Sequence, residues 1–315
     1  MTLNGREIIV GVDGTDQSLG ALRWAAREAK RRGAPLHLVS AYSVPVYAGS
    51  TFDVGYAAFD QAALDNAVKE LVREAALHVQ NLNVEVRSTV ETGDPSGVLL
   101  ELSKSAQLLV LGSRGRGGLL GRLLGSVSTA VPAHSHCPVG IIPLPWAREH
   151  QLERDINETK AFVDGVSVGS DGSEHSSVAM LRAADEAQLL GVPLNVVCAV
   201  PPMAGAASWM PTPVDFANIY QEIADALNAS VRWLRGHFPD LEINAELLDG
   251  SPIDVLVEQS NRNRLVVMGT RGRGGFAGML LGSTSQGVIH NSAGPLMIIQ
   301  GFKDERLADR PEVTL

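Results

Sequence analysis

Ile8-Ile9-Val10-Gly11-Val12-Asp13-Gly14-Thr15 is a short apolar run that stops at Asp-Gly, the mark of a strand closing into a turn. It returns as Gly165-Val166-Ser167-Val168-Gly169-Ser170-Asp171-Gly172-Ser173, which sets Asp13 and Asp171 158 positions apart. Gly33-Ala34-Pro35-Leu36 returns at the same offset as Gly191-Val192-Pro193-Leu194. Gly93-Asp94-Pro95 returns as Gly250-Ser251-Pro252, at an offset of 157. Gly112-Ser113-Arg114-Gly115-Arg116-Gly117-Gly118 returns as Gly269-Thr270-Arg271-Gly272-Arg273-Gly274-Gly275, again at 157. Gly125-Ser126 and Cys137-Pro138 return as Gly282-Ser283 and Gly294-Pro295. Landmarks that keep their order and an offset constant to within one residue make the chain two copies of one domain.

Each copy alternates strand and helix. In the first, Glu7–Val12 reads as a strand. Residues 17–32 carry Leu19, Leu22, Ala25, Ala26 and Ala29 at helical spacing, and Gly33 stops that helix. Arg27, Lys30, Arg31 and Arg32 crowd its last turns, where cations suit the helix dipole. Leu36–Tyr42 is a strand, Asp60–Val79 an amphipathic helix, and Val84–Val90 an alternating strand. Pro95–Lys104 is a short helix, Leu108–Leu111 an apolar strand, Ser126 the start of another helix, and Val139–Ile142 the last strand. The pattern predicts a parallel sheet covered on both faces, a doubly wound α/β fold present twice in tandem. The expected domains are 1–146 and 161–302, joined by a polar linker over 147–160, with a mixed-charge tail at 303–315 expected to fray.

The 315 residues suit two domains, and 45% hydrophobic with 19% charged residues excludes a disordered chain, a collagen or a coiled coil. The 26 basic against 35 acidic residues give a net charge of −9, which argues against nucleic-acid partners and anionic membrane surfaces. Two cysteines, Cys137 and Cys198, provide no disulfide framework. No apolar run approaches the ~20 residues that span a bilayer, and the N-terminus carries no apolar signal core. A cytoplasmic protein is the expectation.

Ligands of open α/β sheets bind outside the carboxyl ends of the strands. Two segments sit at such ends: Gly11–Thr15 after the first strand, and Gly112–Ser126 after the fourth. In the second, glycines let backbone N–H groups approach an anion, and a helix N-terminus adds free donors. Arg114, Arg116 and Arg122 make the loop an island of positive charge in an acidic chain. The loop lacks the Lys of a Walker A motif, and the first strand is not followed by G-x-G-x-x-G. Paired catalytic carboxylates, H-E-x-x-H and the G-x-S-x-G elbow are absent as well.

The spacing that is present is Gly-x2-Gly-x9-Gly-Ser, as Gly112, Gly115, Gly125 and Ser126 and again as Gly269, Gly272, Gly282 and Ser283. With an Asp ending each first strand, the chain resembles the ATP-binding universal stress proteins, over roughly residues 6–143 and 162–301. The resemblance implies five parallel strands per copy in the order 3-2-1-4-5. It implies ATP, with Mg2+, at the carboxyl edge of each sheet. Gly11 with Asp13, and Gly169 with Asp171, would serve the adenine–ribose end, and Ala41 and Val200 would touch the adenine. Gly112–Gly118 would hold ribose and phosphates through Gly112, Ser113, Arg114, Gly115, Arg116, Gly117 and Gly118. Gly125, Ser126, Val127 and Ser128 would complete the grip. In the second copy Gly269, Thr270, Arg271, Gly272, Arg273, Gly274 and Gly275 correspond, closed by Gly282, Ser283, Thr284 and Ser285. The resemblance also implies a role in stress and growth control, pairing of the two copies through their fifth strands, and homodimers.

The copies differ in places. Asp94 stands against Ser251, and Pro132, expected to bend or shorten its helix, has no counterpart at Val288-Ile289. Simpler readings stand beside the sharp ones. A single glycine-rich loop commonly only makes a turn, and Asp-Gly commonly does too; duplication at identical spacing favours a ligand. His134-Ser135-His136-Cys137 looks like a metal cluster, but the second copy has Asn291-Ser292-Ala293-Gly294 there, so no metal site is expected. Cys198 reads as a small buried hydrophobe, and Trp24, Trp209 and Trp233 as packing residues. The aromatic stretch Val44–Phe59 would cover the nucleotide or the other copy. Three functions compete: an ATP-binding regulator with at most slow hydrolysis, an ATP-hydrolysing or nucleotidyl-transferring enzyme of the same α-hydrolase-like superfamily, and a scaffold without ligand. The missing Ser-Gly-Gly and H-x-G-H motifs speak against the second, and intact glycines in both copies against the third.

Overall fold

The computed structural model describes residues 7–43, 61–115, 125–149, 165–202, 215–274 and 281–311. The first copy contributes β1 (Ile8–Gly11), α1 (Asp16–Arg32), β2 (Leu36–Tyr42), α2 (Gln61–Leu77), β3 (Val86–Thr92), α3 (Pro95–Ser103), β4 (Leu108–Gly112), α4 (Ser126–His134), β5 (Val139–Ile142) and α5 (Leu144–Glu149). The second contributes β6 (Val166–Gly169), α6 (Glu174–Leu190), β7 (Leu194–Val200), α7 (Phe216–His237), β8 (Ile243–Asp249), α8 (Pro252–Arg262), β9 (Leu265–Gly269), α9 (Ser283–Asn291) and β10 (Leu296–Ile299).

All strands lie in one sheet of order β3-β2-β1-β4-β5-β10-β9-β6-β7-β8. Each half is parallel and has the expected order 3-2-1-4-5. The halves meet antiparallel, with Leu296 opposite Ile141, Met297 opposite Gly140 and Ile298 opposite Val139. Both fifth strands are buried at every residue. An apolar edge left open invites pairing with another chain, and joining the two edges removes that exposure. Alternation along the strands then gives two cores, one on each face of the sheet, and both run through both copies. Ile8, Val10, Val166 and Val168 face one of them, Ile9, Leu109, Val266 and Ile298 the other.

Local chemistry accounts for the helix ends. Thr15 and Ser173 cap α1 and α6, accepting from the N–H of Ser18 and Ser176. Gly33 and Gly191 end these helices in the left-handed conformation at φ 59° and 64°. Asp94 and Ser251 are interchangeable caps, accepting from Gly97 and Asp254 at the starts of α3 and α8. That explains the difference between the copies at this position.

Several expectations need correction. The third strand runs over Val86–Thr92 rather than Val84–Val90, because its seven residues pair one-to-one with Leu36–Tyr42. Helix α5 continues to Glu149, into the segment expected as linker. Ala147 is buried against Gly20, and Trp146 lies under the Arg27 guanidinium at 5.7 Å. The tail is not frayed through residue 311. A 3-10 turn spans Glu305–Asp309, Arg306 forks onto Asp185 at 3.0 and 3.1 Å, and Trp233 Nε1 donates to Asp309 at 3.0 Å. Pro132 does not shorten α4, which at nine residues is as long as α9. Arg32, in the last turn of α1, reaches across the copies to Glu186 at 2.5 Å and also pairs with Glu28. No helix among the described residues is long and apolar enough to cross a membrane.

Candidate functional site

Each half of the sheet carries a cleft at the carboxyl edge of its strands. The first encloses about 550 Å³ and the second about 510 Å³, within the ~300–1,000 Å³ usual for small-molecule sites. In the first, Val39, Val68, Leu71 and Leu99 make an apolar wall, and Asp13, Arg114 and the start of α4 make the polar one. In the second the corresponding walls are Val197, Ile219, Ile223 and Leu256, and Asp171, Arg271 and the start of α9.

The polar wall follows from the glycine loops. Gly112 ends β4 against the first turn of α1, where an added Cβ would stand 3.0 Å from Gln17 Cβ and 3.1 Å from its carbonyl carbon. Gly269 meets the His175 backbone in the same way at 3.2 Å. Gly125 and Gly282 are the N-caps of α4 and α9, and neither supplies a side-chain acceptor. Among the other described α-helices with an assigned N-cap, Thr15, Asp94, Ser173, Asp215 and Ser251 all supply one. The first-turn donors at Ser126–Ser128 and Ser283–Ser285 thus have no cap acceptor and line the clefts.

Two hydroxyls brace this arrangement. Ser128 Oγ donates to the carbonyls of Ser113 at 2.8 Å and Gly125 at 3.0 Å. Ser285 Oγ donates to the carbonyls of Gly269 at 2.9 Å and Thr270 at 3.4 Å. Both side chains line the clefts, and their protons tie the strand end to the helix start. Ser126 and Ser283, at the first helical position, are exposed.

The carboxylates are held by their own turns. Asp13 Oδ1 accepts from the Thr15 N–H at 3.0 Å and the Thr15 hydroxyl at 2.7 Å. Asp171 Oδ1 does the same with Ser173 at 3.0 and 2.6 Å, and its Oδ2 accepts from the Arg273 N–H at 2.9 Å. Burial opposes ionisation of Asp171, but the donors from Ser173 and Arg273 outweigh it and hold the pKa below the ordinary carboxylate value.

Most of the expected residues converge. Gly11, Asp13, Ala41, Gly112, Arg114, Gly115, Gly125, Ser126, Val127 and Ser128 line the first cleft. Gly169, Asp171, Val200, Gly269, Arg271, Gly272, Arg273, Gly274, Gly282, Ser283, Thr284 and Ser285 line the second. Ser113 and Thr270 are buried behind the linings, their N–H groups bonded to Ile142 and Ile299 at 3.0 Å. Arg116, Gly117, Gly118, Gly275, Trp209 and the stretch 44–59 lie outside the described residues. Strand position makes Ala199 the counterpart of Ala41, and Ala199 lines the second cleft beside Val200.

Sequence reasoning missed the apolar wall from α2 and α7, and Tyr42, Ser40 and Cys198 on the second strands. The i, i+3/i+4 spacing of Leu64, Val68 and Leu71 marked a buried face but not its ligand-facing part. Cys198 is buried as expected but also lines the second cleft; burial and then the charge of Asp171 push its thiol up to about 11. Trp24 and Trp233 are buried. At the His134–Cys137 segment, the His136 N–H donates to Ser103 Oγ at 3.0 Å and Cys137 is buried.

The model of the universal stress protein family matches residues 5–143 and 164–300. A universal stress protein of Mycobacterium tuberculosis (strain ATCC 25618 / H37Rv) is 33% identical over 303 residues, covering 92% of this chain and 96% of its own. A second from the same strain is 30% identical over 309 residues, covering 92% and 94%. The crystal structure of a universal stress protein from Archaeoglobus fulgidus DSM 4304 shares the fold with a TM-score of 0.64 at 20% identity, covering 95% of this chain and 97% of that one.

Proposed function

The chain belongs to the universal stress protein family, and from that footing we propose that it binds two adenine nucleotides, one per cleft. ATP with Mg2+ is the proposed form, and nucleotide-dependent control of stress response and growth in the cytoplasm is the proposed role. One observation carries the reading: α4 and α9 are capped by glycine and open their first turns into clefts that are apolar on the other side. In an acidic chain, uncapped N–H groups at a helix start, together with Arg114, Arg271 and Arg273, concentrate positive potential where a polyphosphate would lie. The apolar walls suit a base. Both oxygens of Asp171 already accept hydrogen bonds, so magnesium would be held chiefly by the phosphates.

Isothermal titration of nucleotide-stripped full chain with ATP and magnesium should approach two per chain. A stoichiometry near zero overturns the reading. Native mass spectrometry of protein purified from cells should show the bound nucleotide directly. Pairing of whole chains is also proposed; since β5 and β10 already join each other, it would use another surface.

A further inference from the structure

The palindromic strand order relates the two copies by an approximate twofold, and position 300 breaks it. Gln300 follows β10, and its Nε2 donates to the main-chain carbonyl of Pro132, in α4 of the other copy, at 2.7 Å. The equivalent residue after β5 is Pro143, which has neither an N–H nor a side-chain donor, so the reciprocal bond cannot form. The amide orientation follows from chemistry, since a proline carbonyl only accepts. Gln300 Oε1 is buried and has no partner among the described residues.

Pro132 sits four residues after Ser128. A proline inside a helix has no N–H for the carbonyl four residues earlier, and its ring crowds that carbonyl. Here that carbonyl belongs to Ser128, in the first turn of α4 at the cleft. The ladder is therefore interrupted where it would fasten the first turn to the second. The carbonyl of Pro132 belongs to the last turn, which lacks intrahelical donors, and Gln300 supplies one from the other copy. Gln300 is in turn joined to the second cleft through its neighbour Ile299, which pairs with the lining residue Gly269. Ile299 also accepts the N–H of Thr270 at 3.0 Å, at the entry to the second glycine loop.

We infer that Gln300 is a positioning residue through which occupancy of the second cleft sets the affinity of the first. The inference rests on both clefts being nucleotide sites. A ligand that shifts the corner from Gly269 into the glycine loop moves Gln300, and with it Pro132 and the first turn of α4. Linkage makes the effect reciprocal.

The test is titration with ATP and magnesium of the full chain, Gly272→Val, Gln300→Leu and the double variant. Any side chain at 272 collides with Asp171, so Gly272→Val blocks the second cleft. Blocking it should change the dissociation constant of the first cleft by about fivefold or more. In the Gln300→Leu background that change should vanish. A first cleft indifferent to Gly272→Val, or a change that survives Gln300→Leu, overturns the coupling. Hydrogen exchange of the ligand-free chain gives a second readout. Gln300→Leu should speed exchange across Ser126–His134 and leave Ser283–Asn291, β5 and β10 as in the parent. Unchanged exchange in α4 overturns the positioning role. Absence of ATP binding to the parent chain refutes the nucleotide reading and the coupling with it, whereas binding at both clefts without coupling refutes Gln300 alone.

Discussion

A Cβ built on Gly115 would stand 2.8 Å from Oδ2 of Asp13, so the first glycine loop closes directly on the carboxylate that follows β1. Gly272 and Asp171 repeat the relationship more tightly, and there Oδ2 also takes the Arg273 N–H. Neither glycine is in the left-handed region. Space, not backbone conformation, excludes a side chain.

Gly115→Ala should therefore leave the sheet intact and displace Asp13. The overpacking itself costs about 1–3 kcal/mol of stability, and the displaced carboxylate should weaken the first site about tenfold, equivalent to ~1.4 kcal/mol. Calorimetry should show one weakened site of two, with unchanged circular dichroism. Gly272→Ala should weaken the second site at least as much. Unchanged affinity in both would refute the loop–carboxylate contact as part of the site.

Ser128→Ala removes a buried hydroxyl that donates to Ser113 and Gly125. Both carbonyls keep another donor, Ser113 from the Gly125 N–H at 3.5 Å and Gly125 from the Thr129 N–H at 3.1 Å, so the cost is that of one net hydrogen bond, about 0.5–1.5 kcal/mol. Urea unfolding should show a loss of that order, and Ser285→Ala a similar one. A midpoint unchanged in both would show that the brace does not hold the loop.

The Asp171 carboxyl has a folded-state pKa below the ordinary value, so folding favours its ionised form. That contribution is present above the unfolded-state pKa of ~4 and is lost as pH falls through the lower folded-state value. The stability difference between the parent and Asp171→Asn should accordingly shrink from ~pH 5 to ~pH 2. Equilibrium unfolding across that range checks it, and a difference constant with pH would contradict it.

Cys198 lines the second cleft with its thiol pushed up to about 11, and the thiolate is the reactive form. Mass-mapped alkylation should find it nearly inert at neutral pH, with a rate that climbs toward pH 10. Saturating ATP should suppress the reaction. Rapid labelling at neutral pH would contradict both the burial and the shift.

Hydrolysis of ATP needs a positioned base or water-orienting group beside the γ-phosphate. Arg114, Ser126 and Ser128, the described lining residues proposed to lie beside the phosphates, include no carboxylate and no histidine that could serve as such a base. Steady-state turnover should fall far below the ~1–10³ s⁻¹ of ordinary enzymes. A rate within that range, lost in Asp13→Ala or Ser126→Ala, would place the chain among enzymes.

Local chemistry wrote the repeat, the strand–helix alternation, the glycine loops and most cleft residues into the sequence. Leu36–Tyr42 and Val139–Ile142 were legible to the residue because they are apolar runs bounded by turn signals. The 3-2-1-4-5 order within each copy came from the family resemblance to the glycine spacing rather than from periodicity. Where contacts across the chain decide, the sequence alone was mute or misled. The third strand shifted because pairing with β2 outranked its own alternation. The charged tail was held by Asp185 and Trp233, partners more than seventy residues away in sequence. The roles of Ser128 as a brace and of Gln300 as a donor to Pro132 depend on which carbonyl lies within 3 Å of a side chain. Periodicity reports which face of an element is buried; only the assembled sheet determines against what.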